Sequence, residues 1–120
     1  MGINSTEVAY NFGQLGSAFN DGLVAITLPT GKVFVAITMI ADTTFENSNG
    51  LVADNDAAGS GLAYINSGGA AHDAGSATTS SGTGGKTVLV GTTFPEGVTI
   101  YGRWTSIKPD SGVIIAYIGD

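Results

Sequence analysis

Apolar and polar positions alternate most clearly near the C-terminal end of the chain. Over residues 98–107, Val98, Ile100, Gly102, Trp104 and Ser106 fall on one side of an extended chain. Thr99, Tyr101, Arg103, Thr105 and Ile107 fall on the other. Period two is the signature of a strand, because successive side chains point to opposite faces. Residues 113–118 form a β-branched, apolar run that predicts a return strand buried on both faces. Between them Pro109, Asp110, Ser111 and Gly112 are turn residues, so residues 98–118 predict a terminal hairpin. A second hairpin is predicted earlier, from a strand at 23–28, a turn at Pro29, Thr30 and Gly31, and a long apolar strand at 32–41.

The remaining pattern is weaker. Residues 7–10 predict a short strand within an N-terminal arm, 1–22, suited to pairing with the main sheet or a neighbouring subunit. Residues 43–46 extend or start a strand, 47–50 turn, and 51–53 are too short to assign. Residues 87–90 resume strand character before a turn at 94–97. From 54 to 85 the chain is mostly Gly, Ala, Ser, Thr and Asp, with Leu62, Tyr64 and Ile65 as its larger apolar groups. Such a stretch buries little area, which predicts a long loop whose middle is pinned to the body by residues 62–65. The expectation is a single all-β domain over 1–120, a β-sandwich or small jelly-roll-like barrel with a long Gly/Ser/Ala-rich loop.

Composition narrows the chemistry. Only 12% of the 120 residues are charged, against 42% hydrophobic, and the net charge is −6. Lys32, Lys86, Arg103 and Lys108 are the only Lys and Arg residues, and they form no cluster in sequence. Phosphate neutralisation draws on clustered cations, so nucleic acid and anionic membrane surfaces are not expected partners. With no cysteine there is no disulfide, thiol nucleophile or thiolate zinc site. The first residues lack a basic region followed by an apolar stretch, so no secretory signal is expected, and no run is long enough for a membrane helix. Met1, Gly2 and Thr6 fit the N-myristoylation pattern, which is short enough to recur by chance.

The candidate catalytic and ligand motifs are incomplete. Residues 80–87 echo a phosphate-binding loop, but Ser80 stands where its first glycine belongs, and a strand is predicted to follow where that loop needs a helix. Asp54, Asn55, Asp56 and Gly59 echo a calcium loop, with Asp42 or Asp73 as further oxygen donors, but Ala58 and Ile65 occupy positions that need ligands. His72 sits among small residues that would not hold it for a triad or a metal. Glu7, Glu46 and Glu96 are far apart in sequence. Neither catalytic residues, a cofactor nor a metal is therefore expected.

Tyr101, Arg103, Trp104 and Tyr117 are the residues that suggest a contact surface. Aromatic and Arg side chains bury large areas while offering polar tips, as binding hot spots require. The same rings suit stacking on sugars. A third reading places Trp104 in the core on the side of Ile100, with Tyr101 and Arg103 outside.

Residues 94–107 and 111–119, with Tyr101, Gly102 and Arg103 on one strand, a Pro109/Gly112 turn and Ala116 and Tyr117 ending the next, resemble the C-terminal ends of small structural proteins of marine tailed bacteriophages. Residues 32–45 resemble their central strand. The resemblance implies a virion component on the capsid surface, such as a decoration or cement protein, often a trimeric β module. Its partners would be the major capsid protein and its own copies, and its role reinforcement of the lattice. Residues 54–85 lie outside the resemblance. The alternative from another class is a carbohydrate-binding module with Trp104 and Tyr101 as an exposed platform. A hydrolase, which would need carboxylates converging in a cleft, has least support.

Overall fold

The central element is the apolar strand that the sequence marks most strongly. In the computed structural model, which describes residues 15–22, 24–54, 64–67 and 87–119, it forms β3, Val33–Met39, with strands paired antiparallel on both sides. On one side lies β8, Ile114–Gly119, and beyond it β1, Ser17–Asn20. On the other lies β6, Thr99–Ile107, which also pairs with β2, Ile26–Thr27, and β5, Leu51–Ala53. Thr44–Phe45 and Pro109–Ser111 form a separate two-stranded ribbon, β4 and β7. The described chain is all-β, and its main sheet curls into a nearly closed, barrel-like form. Among the described residues no helix is long and apolar enough to cross a membrane.

Both expected hairpins are corrected, for one physical reason. β6 and β8 each pair antiparallel with β3, so they run parallel to one another and cannot be joined by a tight turn. Residues 108–113 instead cross the end of β3, forming β7 on the way, and Ile40 N–H donates to Val113 O at 2.8 Å. The first hairpin fails likewise. Ser106 and Ile107 pair with both β2 and β5, and Trp104 with both β3 and β5. β5 therefore holds one edge of β6, while β2 and β3 follow each other along the opposite edge. The Pro29–Lys32 segment is an excursion within that edge, closed by Lys32 N–H donating to Pro29 O at 3.2 Å. The strand expected at 87–90 is also absent. Val88 packs on the core and donates to Asn66 O at 2.8 Å, without a ladder. The strand expected at 7–10 lies outside the described residues.

Register shifts decide which residues share the core. Phe34 and Ile37 are three apart and would face opposite sides of a regular strand, yet both are fully buried in one cluster. Between Phe34 and Ala36 the pairing slips by one residue against β8, and this bulge at Val35 resets the phase. Trp104 and Ile107 repeat the arrangement, with the slip against β5 at Thr105. The expected placement of Ile107 opposite Trp104 is thereby corrected. Phe45 closes the core from the ribbon, edge-on to Phe94 at 5.4 Å between ring centres. Residues 66–67 flank β5, with Ser67 N–H donating to Leu51 O at 2.9 Å and its hydroxyl accepting from Leu51 N–H at 3.0 Å.

Candidate functional site

Alternation across the four adjacent strands β1, β8, β3 and β6 creates two faces. Ala18, Ala116, Ile37 and Ile100 turn inward to the core cluster. The outward row beside them is Ser17, Tyr117, Ala36 and Tyr101, in register from strand to strand. The next outward row is Phe19, Ile115, Thr38 and Thr99. Ala36 is 1% exposed without belonging to the core cluster, a small residue covered between two tyrosine-bearing strands. Tyr101 and Phe19 stand at 62% and 69% exposure at the two ends of this face. Thr38 and Thr99 share a hydroxyl–hydroxyl bond of 2.9 Å across the strand pair, which fixes the floor.

The strands of this face carry Arg103 as their one charged side chain among the described residues. The described carboxylates, Asp21, Asp42, Glu46, Asp54, Glu96 and Asp110, all lie outside β1, β3, β6 and β8. In a chain of net charge −6, these four strands thus carry no carboxylate among the described residues, and Asp54 meets the face only at its end, through Arg103. Removing water from such a face carries little charge-desolvation cost. Chemically it can bury area against another protein surface.

The sequence-predicted contact residues separate into three environments. Tyr101 and Tyr117 flank Ala36 on the outer face. Arg103 lies at the end of that face, its Nη2 3.3 Å from Asp54 Oδ2, and Asp54 N–H donates to Arg103 O at 2.8 Å. Trp104 belongs to the core, which corrects its place among the contacts. It is fully buried, its indole N–H donates to Ile65 O at 2.7 Å, and its ring lies where a Cβ on Gly102 would stand, 2.8 Å away. Sequence reasoning missed Phe19 and Ile115. The signal for Phe19 was the alternation of Ser17 and Phe19 against Ala18 and Asn20, hidden in a segment read as an arm.

The weaker motifs resolve in part. Asp42 Oδ1 accepts from Glu96 N–H at 2.9 Å and Asp54 pairs with Arg103. Glu46 pairs with Lys108 at 3.1 Å. No group of three metal-binding side chains occurs among the described residues. Glu7, Asn55, Asp56, Gly59, Leu62, His72, Asp73 and positions 80–86 lie outside them. No protein-family model matches the chain, and no curated protein or solved structure matches it either.

Proposed function

We infer that the chain is a non-enzymatic structural protein of a bacteriophage virion, a decoration or cement protein on the capsid surface. In this reading it assembles as a homotrimer and seats on the major capsid protein through its outer sheet face. The observation that carries the reading is the outer face running from Phe19 through Ile115 and Tyr117 to Tyr101, whose strands carry no carboxylate among the described residues. A cement protein works by adding buried interface between neighbouring shell subunits, so modest contacts repeated over a lattice sum to a large resistance. A face with few charges and aromatic ends suits that task. The alternative, a carbohydrate-binding module on a fibre, tail or cell surface, relied on Trp104 and Tyr101 as paired platforms. Burial of Trp104 leaves that platform with one ring, and favours the shell reading.

The test is mass by light scattering, alone and with purified shells lacking the protein. A discrete oligomer that binds at fixed stoichiometry and raises shell melting temperature is expected; a monomer that ignores the shells contradicts the reading. Tyr101→Ser and Phe19→Ser should each weaken shell binding by about 30-fold, as loss of a hot spot worth about 2 kcal/mol does. Their own stability should move by less than about 1 kcal/mol, because both side chains are exposed. Leu89→Ser, exposed but outside the sheet, should bind as the parent does.

A further inference from the structure

The sequence contains one Asn–Gly pair, Asn49–Gly50, and one Asp–Gly pair, Asp21–Gly22. Such pairs are weak points of a polypeptide backbone. Glycine has no side chain to hinder its amide nitrogen from attacking the carboxamide or carboxyl before it. In both pairs the fold engages that nitrogen. Gly22 N–H donates to Asn20 Oδ1, and Gly50 N–H donates to Glu46 O at 2.9 Å. Asn49 is the more reactive of the two, since a neutral carboxamide is attacked more readily than a carboxylate. It is exposed to water, while Gly50 beside it is buried.

The turn that carries Asn49 is held shut from outside. Ser48 has φ of 69°, and Asn49 N–H donates to Asn47 O at 2.8 Å, a γ-turn of the strained, positive-φ kind. Such a turn persists only where its surroundings over-determine it. Three distant segments do so here. Ser48 N–H donates to Ser67 O at 3.2 Å, Val90 N–H to Asn47 Oδ1 at 2.9 Å, and Lys108 N–H to Gly50 O at 2.8 Å. A Cβ on Gly50 would stand 2.5 Å from Glu46 N and 2.6 Å from Phe45 Cβ, and closer still to Glu46 O. The glycine therefore has little room to swing toward Asn49 Cγ while the turn is closed. Loss of its amide proton inside the fold would also create an anion away from water, which burial disfavours.

We propose that Asn49 is a latent modification site, a deamidation site kept silent by the closed turn and released when residues 46–50 open. In the open turn hydroxide removes the Gly50 amide proton and the nitrogen attacks Asn49 Cγ. A cyclic imide forms as the Cγ–Nδ2 bond breaks, and ammonia leaves with a proton taken from water, which restores the hydroxide. Water then adds to either imide carbonyl and cleaves its C–N bond, giving Asp or isoaspartate. Isoaspartate lengthens the main chain by a methylene in a turn too tight for a methyl group at Gly50, so conversion is one-way. The inference does not depend on what the outer face binds. The full chain is incubated at mildly alkaline pH, native and in urea, and conversion of Asn49 is followed by peptide mass spectrometry. The unfolded chain should convert at least about tenfold faster, because a buried, bonded amide reacts only through local opening. Asn47→Ala removes the acceptor of Val90 N–H and should speed conversion in the folded chain about fivefold, as loss of one hydrogen bond implies. If Asn47→Ala does not fold, the comparison of native with unfolded parent decides alone. Equal rates in the native and unfolded parent, or a folded Asn47→Ala chain that converts no faster than the parent, overturns the proposal.

Discussion

Trp104→Ala is expected to unfold much of the population at ambient temperature, or to lower Tm by at least about 10 °C. The ring is fully buried in the cluster that includes Phe34, Ile37, Leu51 and Ile107, and emptying such a site costs about 3–5 kcal/mol. The substitution also removes the donor to Ile65 O, for which about 1 kcal/mol more is lost. Domains of this size have about 5–15 kcal/mol in total, so this one residue carries a large share. Trp104→Phe separates the two contributions. It keeps most of the packing and should lose only about 1–2 kcal/mol, chiefly from the unpaired carbonyl and the smaller ring. Urea unfolding followed by far-ultraviolet circular dichroism measures both; equal midpoints for Trp104→Ala and the parent would remove Trp104 from the core.

Gly112→Ala should be nearly as damaging, although it adds only one methyl group. Gly112 has φ of 101°, a conformation disfavoured for an L-residue by about 1–2 kcal/mol. Its added Cβ would stand 2.5 Å from Asp42 O and 2.7 Å from Thr43 Cα, and closer still to Thr43 Oγ1. Those neighbours are largely backbone and cannot rotate away. Thr43 is itself fixed, with reciprocal backbone bonds to Phe94 of 2.9 and 2.8 Å and a hydroxyl that donates to Ala41 O at 2.7 Å. The clash falls on the crossover that joins β6 to β8, so relieving it must displace a strand of the main sheet. The expected loss is at least about 3 kcal/mol. Gly31→Ala is the control, since φ is 91° there but nothing lies within 4 Å of the added Cβ. It should cost only the conformational strain, about 1–2 kcal/mol. If the two variants unfold at the same denaturant concentration, the packing of Thr43 against Gly112 is not what holds the crossover.

Local pattern made the strands legible and left their partners hidden. The alternation at 98–107 and the apolar run at 32–41 became β6 and β3 within a residue or two, because burial on one or both faces imposes that spacing. Pairing is a long-range choice, and turn residues suggest the nearest strand as partner. Pro29, Thr30 and Gly31 make a turn, but one that leaves and rejoins the same sheet edge. Gly112 also turns the chain, yet in a crossover forced by β3 lying between β6 and β8. Bulges defeat simple alternation in a similar way: Ile107 joins Trp104 inside only because the strand slips at Thr105. The outer face was half legible. Tyr101 and Tyr117 stand out by residue type, but their alignment through Ala36 depends on β3 inserting between their strands. Phe19 is conspicuous only once β1 is known to pair with β8.

The most direct test of the proposed docking face is hydroxyl-radical footprinting with and without shells assembled from the major capsid protein of the proposed phage. Oxidation of Phe19, Tyr101 and Tyr117 is expected to fall together when shells are added, while that of exposed Leu89 stays the same. Equal oxidation of Tyr101 and Phe19 in the shell-bound and free states would contradict it.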